Sequence, residues 1–357
     1  ATPGSGAASD YTYAWTVPGG VAAPGSVSTF TTTTAGVYSV VITKTSTGCV
    51  SASASGVVTA NALPTVTVNS PSTCSGIAAT VTATPGSGAA GDYTYAWSVP
   101  GGASAPGNVS TFTTTTVGNY SVVITKTSTG CVSASASGTV SANPLPTVTV
   151  NSSTVCAGVS TTVTATPGSG VAADYNYAWT VPGGVVAPGN VQSVSSSIAG
   201  TYSVIITNKT TGCISTSASG TISANPLPTV TVNSSTVCAG ASATVTATPG
   251  SGAASDYNYA WTVPVGASAQ SNTTSTFTTT TAGTYSVIVT SKVGSCASVS
   301  ASGVVTANAL PTVTVNSPSI CAGASATVTA TPGSGAAGDY TYTWSVPGGA
   351  ASPGNVS

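Results

Sequence analysis

The residues able to do covalent or ionic chemistry in this chain are few and regularly placed. Eight cysteines stand at Cys49, Cys74, Cys131, Cys156, Cys213, Cys238, Cys296 and Cys321. Charge is confined to Lys44, Lys126, Lys209 and Lys292, and to Asp10, Asp92, Asp174, Asp256 and Asp339; the chain contains no Glu, Arg, His or Met. A serine nucleophile needs a base beside it, and glycoside hydrolysis needs two carboxylates around one bond. Aspartates spaced about 82 residues apart supply neither, so the expectation is a chain that is not an enzyme. Calcium takes six to eight oxygens, usually from several carboxylates. One Asp per repeat reads better as a turn cap. Zinc sites want close Cys-x-x-Cys or His pairs, and the Gly-rich turns lack the Lys and helix of a phosphate-binding loop. No metal and no cofactor is expected. Well-separated cysteines in a loop-rich chain read as disulfides, and hence as an oxidising, extracellular setting.

The elements that position these residues repeat. The stretch Tyr93-Thr94-Tyr95-Ala96-Trp97-Ser98-Val99-Pro100-Gly101-Gly102 occurs in closely similar form five times in all, with the tryptophan at Trp15, Trp97, Trp179, Trp261 and Trp344. The chain is therefore a tandem array with a period of about 82 residues. Whole repeats are expected at 63–144, 145–226 and 227–309, with a partial one at 1–62 lacking its first strand and another at 310–357 lacking its last strands. Ala1 aligns with Ala83 and Ser357 with Ser110, which reads as a window cut from a longer protein. No apolar run approaches the roughly 20 residues that span a bilayer. Only 3% of residues are charged, against about 25% in a typical soluble domain. No cluster of basic residues is available for a nucleic-acid partner, and the surface must be made of Thr, Ser and Asn.

Within 63–144 the signals are those of short strands. Tyr93, Tyr95, Trp97 and Val99 share one parity, the period-2 pattern of a strand with one buried face. Thr65–Val68, Ala79–Thr84, Val109–Thr114 and Tyr120–Thr125 alternate likewise, as does a long small-residue strand after Cys131 that ends near Ala142. A short additional strand is expected between Pro100-Gly101-Gly102 and Pro106-Gly107-Asn108. Seven strands with frequent turn signals and no helical period predict an all-β fold, a tandem array of seven-stranded β-sandwiches. The expected core is Trp15, Trp97, Trp179, Trp261 and Trp344 with Tyr38, Tyr120, Tyr202 and Tyr285.

The Tyr-x-Trp of the central strand and the Gly-x-Tyr that opens the Tyr120 strand resemble immunoglobulin-like folds. Val81 and Val122 stand where antibody domains carry their inter-sheet cysteines. The order Cys-Ala-Gly, Tyr-x-Trp-x-Val-Pro-Gly-Gly, Gly-x-Tyr-Ser-Val-x-Ile-Thr and Gly-Cys is similar to the PKD-like repeats of giant surface proteins of Bacteroidota. It departs from typical PKD domains in having Val99-Pro100-Gly101-Gly102 where they carry an acidic Asp-Gly turn. The resemblance implies a secreted, cell-surface, often adhesive polypeptide, commonly exported by the type IX route.

Two cysteine pairings compete. One staples each repeat internally: Cys74–Cys131, Cys156–Cys213 and Cys238–Cys296. The other follows from alternating strand directions, which place Cys74 and Cys131 at opposite ends of one sandwich. Strands of about ten residues are roughly 33 Å long, whereas bonded cysteines need Cα atoms within about 7 Å. That favours links between repeats, Cys74–Cys213 and Cys156–Cys296. Cys49, Cys131, Cys238 and Cys321 would then pair with chain outside 1–357 or stay free. The outcome depends on the Pro100–Pro106 segment making a true reversal.

Other readings are weaker. The Thr runs at 31–34, 113–116 and 278–281 are what strands favour, and the Tyr and Trp side chains point inward rather than toward a sugar. The first functional reading is a structural segment of an extracellular cell-surface filament or adhesin stalk. Its partners are the neighbouring modules of the same longer chain, with lateral copies of itself as a further option given the low charge. Residues 310–357 differ from 63–110 at only seven positions, and a spacer needs nothing but its neighbour contacts. The second is a multivalent glycan- or cell-binding array, for which Val265–Asn272 is the divergent loop. A third is a spacer within a large secreted enzyme.

Overall fold

The computed structural model describes residues 1–348 and 351–357. Among the described residues the regular structure is β-strand with single 3-10 turns, and no α-helix is formed. The chain makes two compact units: Ala1–Pro146 with Thr207–Ile214, and Thr147–Ile206 with Ser215–Ser357.

In the first unit, β1 (Tyr11–Thr16), β2 (Gly36–Lys44) and β3 (Ala54–Val58) form one three-stranded antiparallel sheet. This partial copy lacks more than its first strand. Thr31–Thr34 runs as coil, because the strand that its counterparts pair with is represented here only by the residues aligned with its end. The whole copy that follows holds β4 (Val66–Val68), β5 (Ser72–Cys74), β6 (Ala79–Pro85), β7 (Tyr93–Ser98), β8 (Thr111–Thr114), β9 (Gly118–Lys126) and β10 (Ala136–Asn143). They form two sheets, β4-β6-β8 and β5-β10-β9-β7. Every ladder is antiparallel except β5 on β10.

The count of seven is reached differently from the sequence expectation. No strand forms between Pro100 and Pro106. Two prolines and three glycines between Pro100 and Gly107 deny that segment ladder donors and a fixed backbone. It returns along β7 as coil, tied by Trp97 Nε1 donating to Val109 O at 2.8 Å and Tyr95 N donating to Asn108 Oδ1 at 2.7 Å. The reversal is kept without a strand. The seventh strand is β5, which arises where the chain leaves β4 for the other sheet. There the Asn69 side-chain amide stands in for a peptide group: Nδ2 donates to Thr80 O at 2.9 Å and Oδ1 accepts Thr82 N at 2.7 Å.

The core lies between the sheets in two clusters. Val66, Ala83, Tyr93, Tyr95, Val122 and Ile124 form one, and Ala79, Val81, Tyr120 and Val140 the other. The fully enclosed aromatic is Tyr120, at 0% exposure, as are Tyr202 and Tyr285; Tyr38 is also buried. The tryptophans expected in the core are half-buried, and Trp97, Trp179 and Trp261 pack against its clusters from one side. Their strand is the open edge of its sheet, so Trp97 bridges the two clusters and meets Phe112 edge-on at 5.0 Å. Tyr120 Oη donates to Thr116 O at 2.8 Å, pinning the start of β9 to the chain before it. That is the geometry of a tyrosine corner.

The second unit repeats this plan. Its strands are β11 (Val148–Val150), β12 (Ser153–Cys156), β13 (Thr161–Pro167), β14 (Tyr175–Thr180), β15 (Ser193–Ser196), β16 (Gly200–Asn208) and β17 (Ala218–Asn225). The next copy has β18 (Val230–Val232), β19 (Ser235–Cys238), β20 (Ala243–Pro249), β21 (Tyr257–Thr262), β22 (Thr276–Thr279), β23 (Gly283–Ser291) and β24 (Ala301–Asn308). Sheet orders match those of β4 to β10. Among the described residues of the final partial copy, β25 (Val313–Val315) and β26 (Ala330–Pro332) form the one ladder.

Candidate functional site

Two cysteine settings recur, each held by backbone hydrogen bonds. Cys74 ends β5 in register with Asn143 at the end of β10, and Ser75 N donates to Asn143 O at 2.9 Å. Cys156 and Asn225, and Cys238 and Asn308, repeat that pairing. The second setting is the turn after β9. Lys126 N donates to Cys131 O at 2.9 Å, and Val132 bridges back to Thr125. From Val132 to Asn143 the chain advances about 36 Å at about 3.3 Å per residue. A disulfide allows about 7 Å between Cα atoms, so Cys74 and Cys131 cannot meet.

Cys74 is bonded to Cys213 (S–S 2.00 Å, Cα–Cα 5.5 Å), and Cys156 to Cys296 (S–S 2.04 Å, Cα–Cα 5.5 Å). The internal pairs Cys74–Cys131, Cys156–Cys213 and Cys238–Cys296 are not formed, and Cys49, Cys131, Cys238 and Cys321 are free thiols. The bridges close loops of 139 and 140 residues. The bonded turn cysteines are sealed from solvent, Cys213 at 0% and Cys296 at 1% exposure. Their free counterparts Cys131 and Cys49 are half-buried and exposed. Around Cys156–Cys296 the backbone closes tightly: a Cβ on Gly294 would run into the Asn225 side chain. Ser295 holds φ 55°, where the equivalent Gly130 and Gly212 hold 67° and 72°.

The aspartates sit on turns. Asp92 Oδ2 accepts Ala89 N at 2.9 Å around the 3-10 turn before β7, and Asp10, Asp174, Asp256 and Asp339 do the same at 2.8–2.9 Å. Burial raises the phenol pKa of Tyr95, Tyr177 and Tyr259, and the adjacent Tyr93, Tyr175 or Tyr257 adds to it. Among the described residues no group of three or more His, Cys, Asp or Glu gathers as metal ligands. None of the described helices is long and apolar enough to cross a membrane. The sequence reading passed over Asn69, Asn151, Asn233 and Asn316, whose side chains all pair with the strand beside them. Their recurrence at the repeat period was the available signal.

Strand order and register settle the fold. The chain is a tandem array of immunoglobulin-like β-sandwiches. No protein-family model and no curated protein matches it. Solved structures with which it aligns include Sidekick-1 immunoglobulin domains 1-5, at 15% identity over 79% of this chain and 68% of that one, with a TM-score of 0.27. Sidekick-1 immunoglobulin domains 1-4 align at 10% identity over 84% and 90%, with a TM-score of 0.24. The N-terminal four Ig domains of Dscam1 isoform 1.9 align at 14% over 77% and 80%, with a TM-score of 0.21.

Proposed function

We propose that this chain is a structural segment of an extracellular, cell-surface filament or adhesin stalk. Its units are the modules 63–144, 145–226 and 227–309, with parts of two more at 1–62 and 310–357. The observation that carries the reading is that each disulfide joins the end of one copy's second strand to the last turn of the next. A chain of independent binding domains has no need of such links; a shaft gains resistance to bending and pulling. The joint Asn143-Pro144-Leu145-Pro146 adds stiffness, since proline fixes φ. Oxidised cysteines fit an extracellular setting, as does the resemblance to PKD-like surface repeats. In this reading the chain is non-enzymatic, takes no cofactor, and has as partners the neighbouring modules of a longer chain, with lateral copies of itself as a further contact. It neither binds nucleic acid nor enters a membrane. Immunogold labelling of intact cells that produce the protein should decorate extended threads outside the cell; label confined to the interior would reject the stalk.

A second reading, a multivalent glycan- or cell-binding array, is favoured by one difference between copies. The groove beside the coil after β14 is about 560 Å³ and lined by Val185, Val186, Val191 and Ile198. Its counterpart in the next copy is about 260 Å³ and lined by Ser242, Ser268, Gln270 and Thr278. Retention of this chain on immobilised neutral glycans, lost in Gln270→Ala, would favour that alternative.

A further inference from the structure

The two bridges overlap along the chain. The loop closed by Cys74–Cys213 and the loop closed by Cys156–Cys296 share residues 156–213. We propose that this overlap is an extension limiter, an inference that rests on the stalk reading. Pulled at its ends, the chain stays short even when its sandwiches unfold, and only reductive opening of both bridges releases its full length.

The limit follows from the covalent connections. The shortest bonded path runs from Ala1 to Cys74, crosses to Cys213, returns backward to Cys156, crosses to Cys296 and continues to Ser357. About 190 of the 357 residues lie on that path; at about 3.5 Å per residue its taut length is about 680 Å, against about 1,250 Å for the open chain. Residues 75–155 and 214–295 hang off it as slack. Either bridge alone hides about 140 residues, while the second adds only about 25, or about 90 Å, because the shared stretch is run in reverse. Staples inside each module would not overlap, and each would hide about 57 residues, or about 200 Å, independently.

Release is a two-electron step at each bridge. One thiolate of a dithiol such as dithiothreitol attacks a bridge sulfur and forms a mixed disulfide. Its second thiol closes the cyclic disulfide, and both cysteines leave as thiols after taking up two protons.

The test is single-molecule stretching of the 357-residue chain, tethered at its ends, with free thiols first blocked by iodoacetamide. The oxidised chain should reach about 680 Å, and about 1,250 Å after dithiothreitol. Cys74→Ser and Cys156→Ser should each lengthen the limit by only about 90 Å, while the double variant adds about 570 Å. An oxidised chain that draws out to about 1,250 Å, or single variants that each add about 200 Å, would overturn the limiter whether or not the protein forms a surface stalk. The 680 Å limit in a protein that immunogold finds only inside cells would uphold the limiter and reject the stalk.

Discussion

Ser153 and Ser235 occupy the same place in successive copies yet differ by one hydrogen bond. Ser153 Oγ lies 3.0 Å from Thr161 Oγ1, whereas Ala243 replaces that threonine in the next copy and leaves Ser235 Oγ buried without a partner. An unpaired buried hydroxyl costs more than a paired one contributes. Ser235→Ala should therefore raise stability by up to about 1 kcal/mol and Ser153→Ala lower it by about 1 kcal/mol. Urea denaturation of the two variants checks this, and equal signs would refute it. The buried serines Ser133, Ser215 and Ser298, by contrast, accept the backbone N–H of Ile124, Ile206 and Val289 at 3.0 Å. None of these partnerships was legible in the sequence, since a serine in a small-residue strand looks the same whichever atom faces it.

The switch of the chain from β4 to β5 governs what β10 can tolerate. The Asn69 carbonyl crosses β10 so closely that a Cβ on Gly138 would collide with it, and Gly220 and Gly303 stand in the same relation to Asn151 and Asn233. A backbone oxygen cannot swing aside as a side chain does. Gly138→Ala should cost about 3 kcal/mol, while Gly101→Ala, whose Cβ would enter open space, should change stability by less than about 0.5 kcal/mol. Thermal melts of the pair, with amide exchange on β5, measure both, and matching melts would refute the crossing argument. Alternation placed β4, β6, β7, β8, β9 and β10 from residues alone, because a half-buried strand needs one apolar parity. It misplaced the remaining strand: β5 is held by a parallel ladder to β10, far along the chain, and Ser-Pro-Ser-Thr shows no alternation of its own.

At the scale of the whole chain, charged residues are few and phenols are the most numerous titratable groups. One phenol in each whole copy, Tyr95, Tyr177 and Tyr259, is raised above its ordinary value of 10.0, chiefly by burial. The fold thus prefers the neutral phenol. The resulting stability is fully present below pH 10 and is lost as pH rises through the folded-state values. Melting temperature should hold up to pH 10 and fall as pH rises beyond that ordinary value, once the free thiols are alkylated. Tyrosinate absorbance with no component titrating above the ordinary phenol value would contradict it.

The amino-acid sequence alone determined the repeat length, the all-β class and the inward face of each central strand. Those properties depend only on period and composition. It left two cysteine pairings standing, because both kinds of cysteine recur at the same spacing. Tertiary structure chose between them: the return of the chain after β7, made as coil, sets Cys74 and Cys131 at opposite ends of one sandwich, beyond the reach of a sulfur–sulfur bond. Which cysteines come within that reach depends on where strand ends lie in space, and no local pattern encodes it.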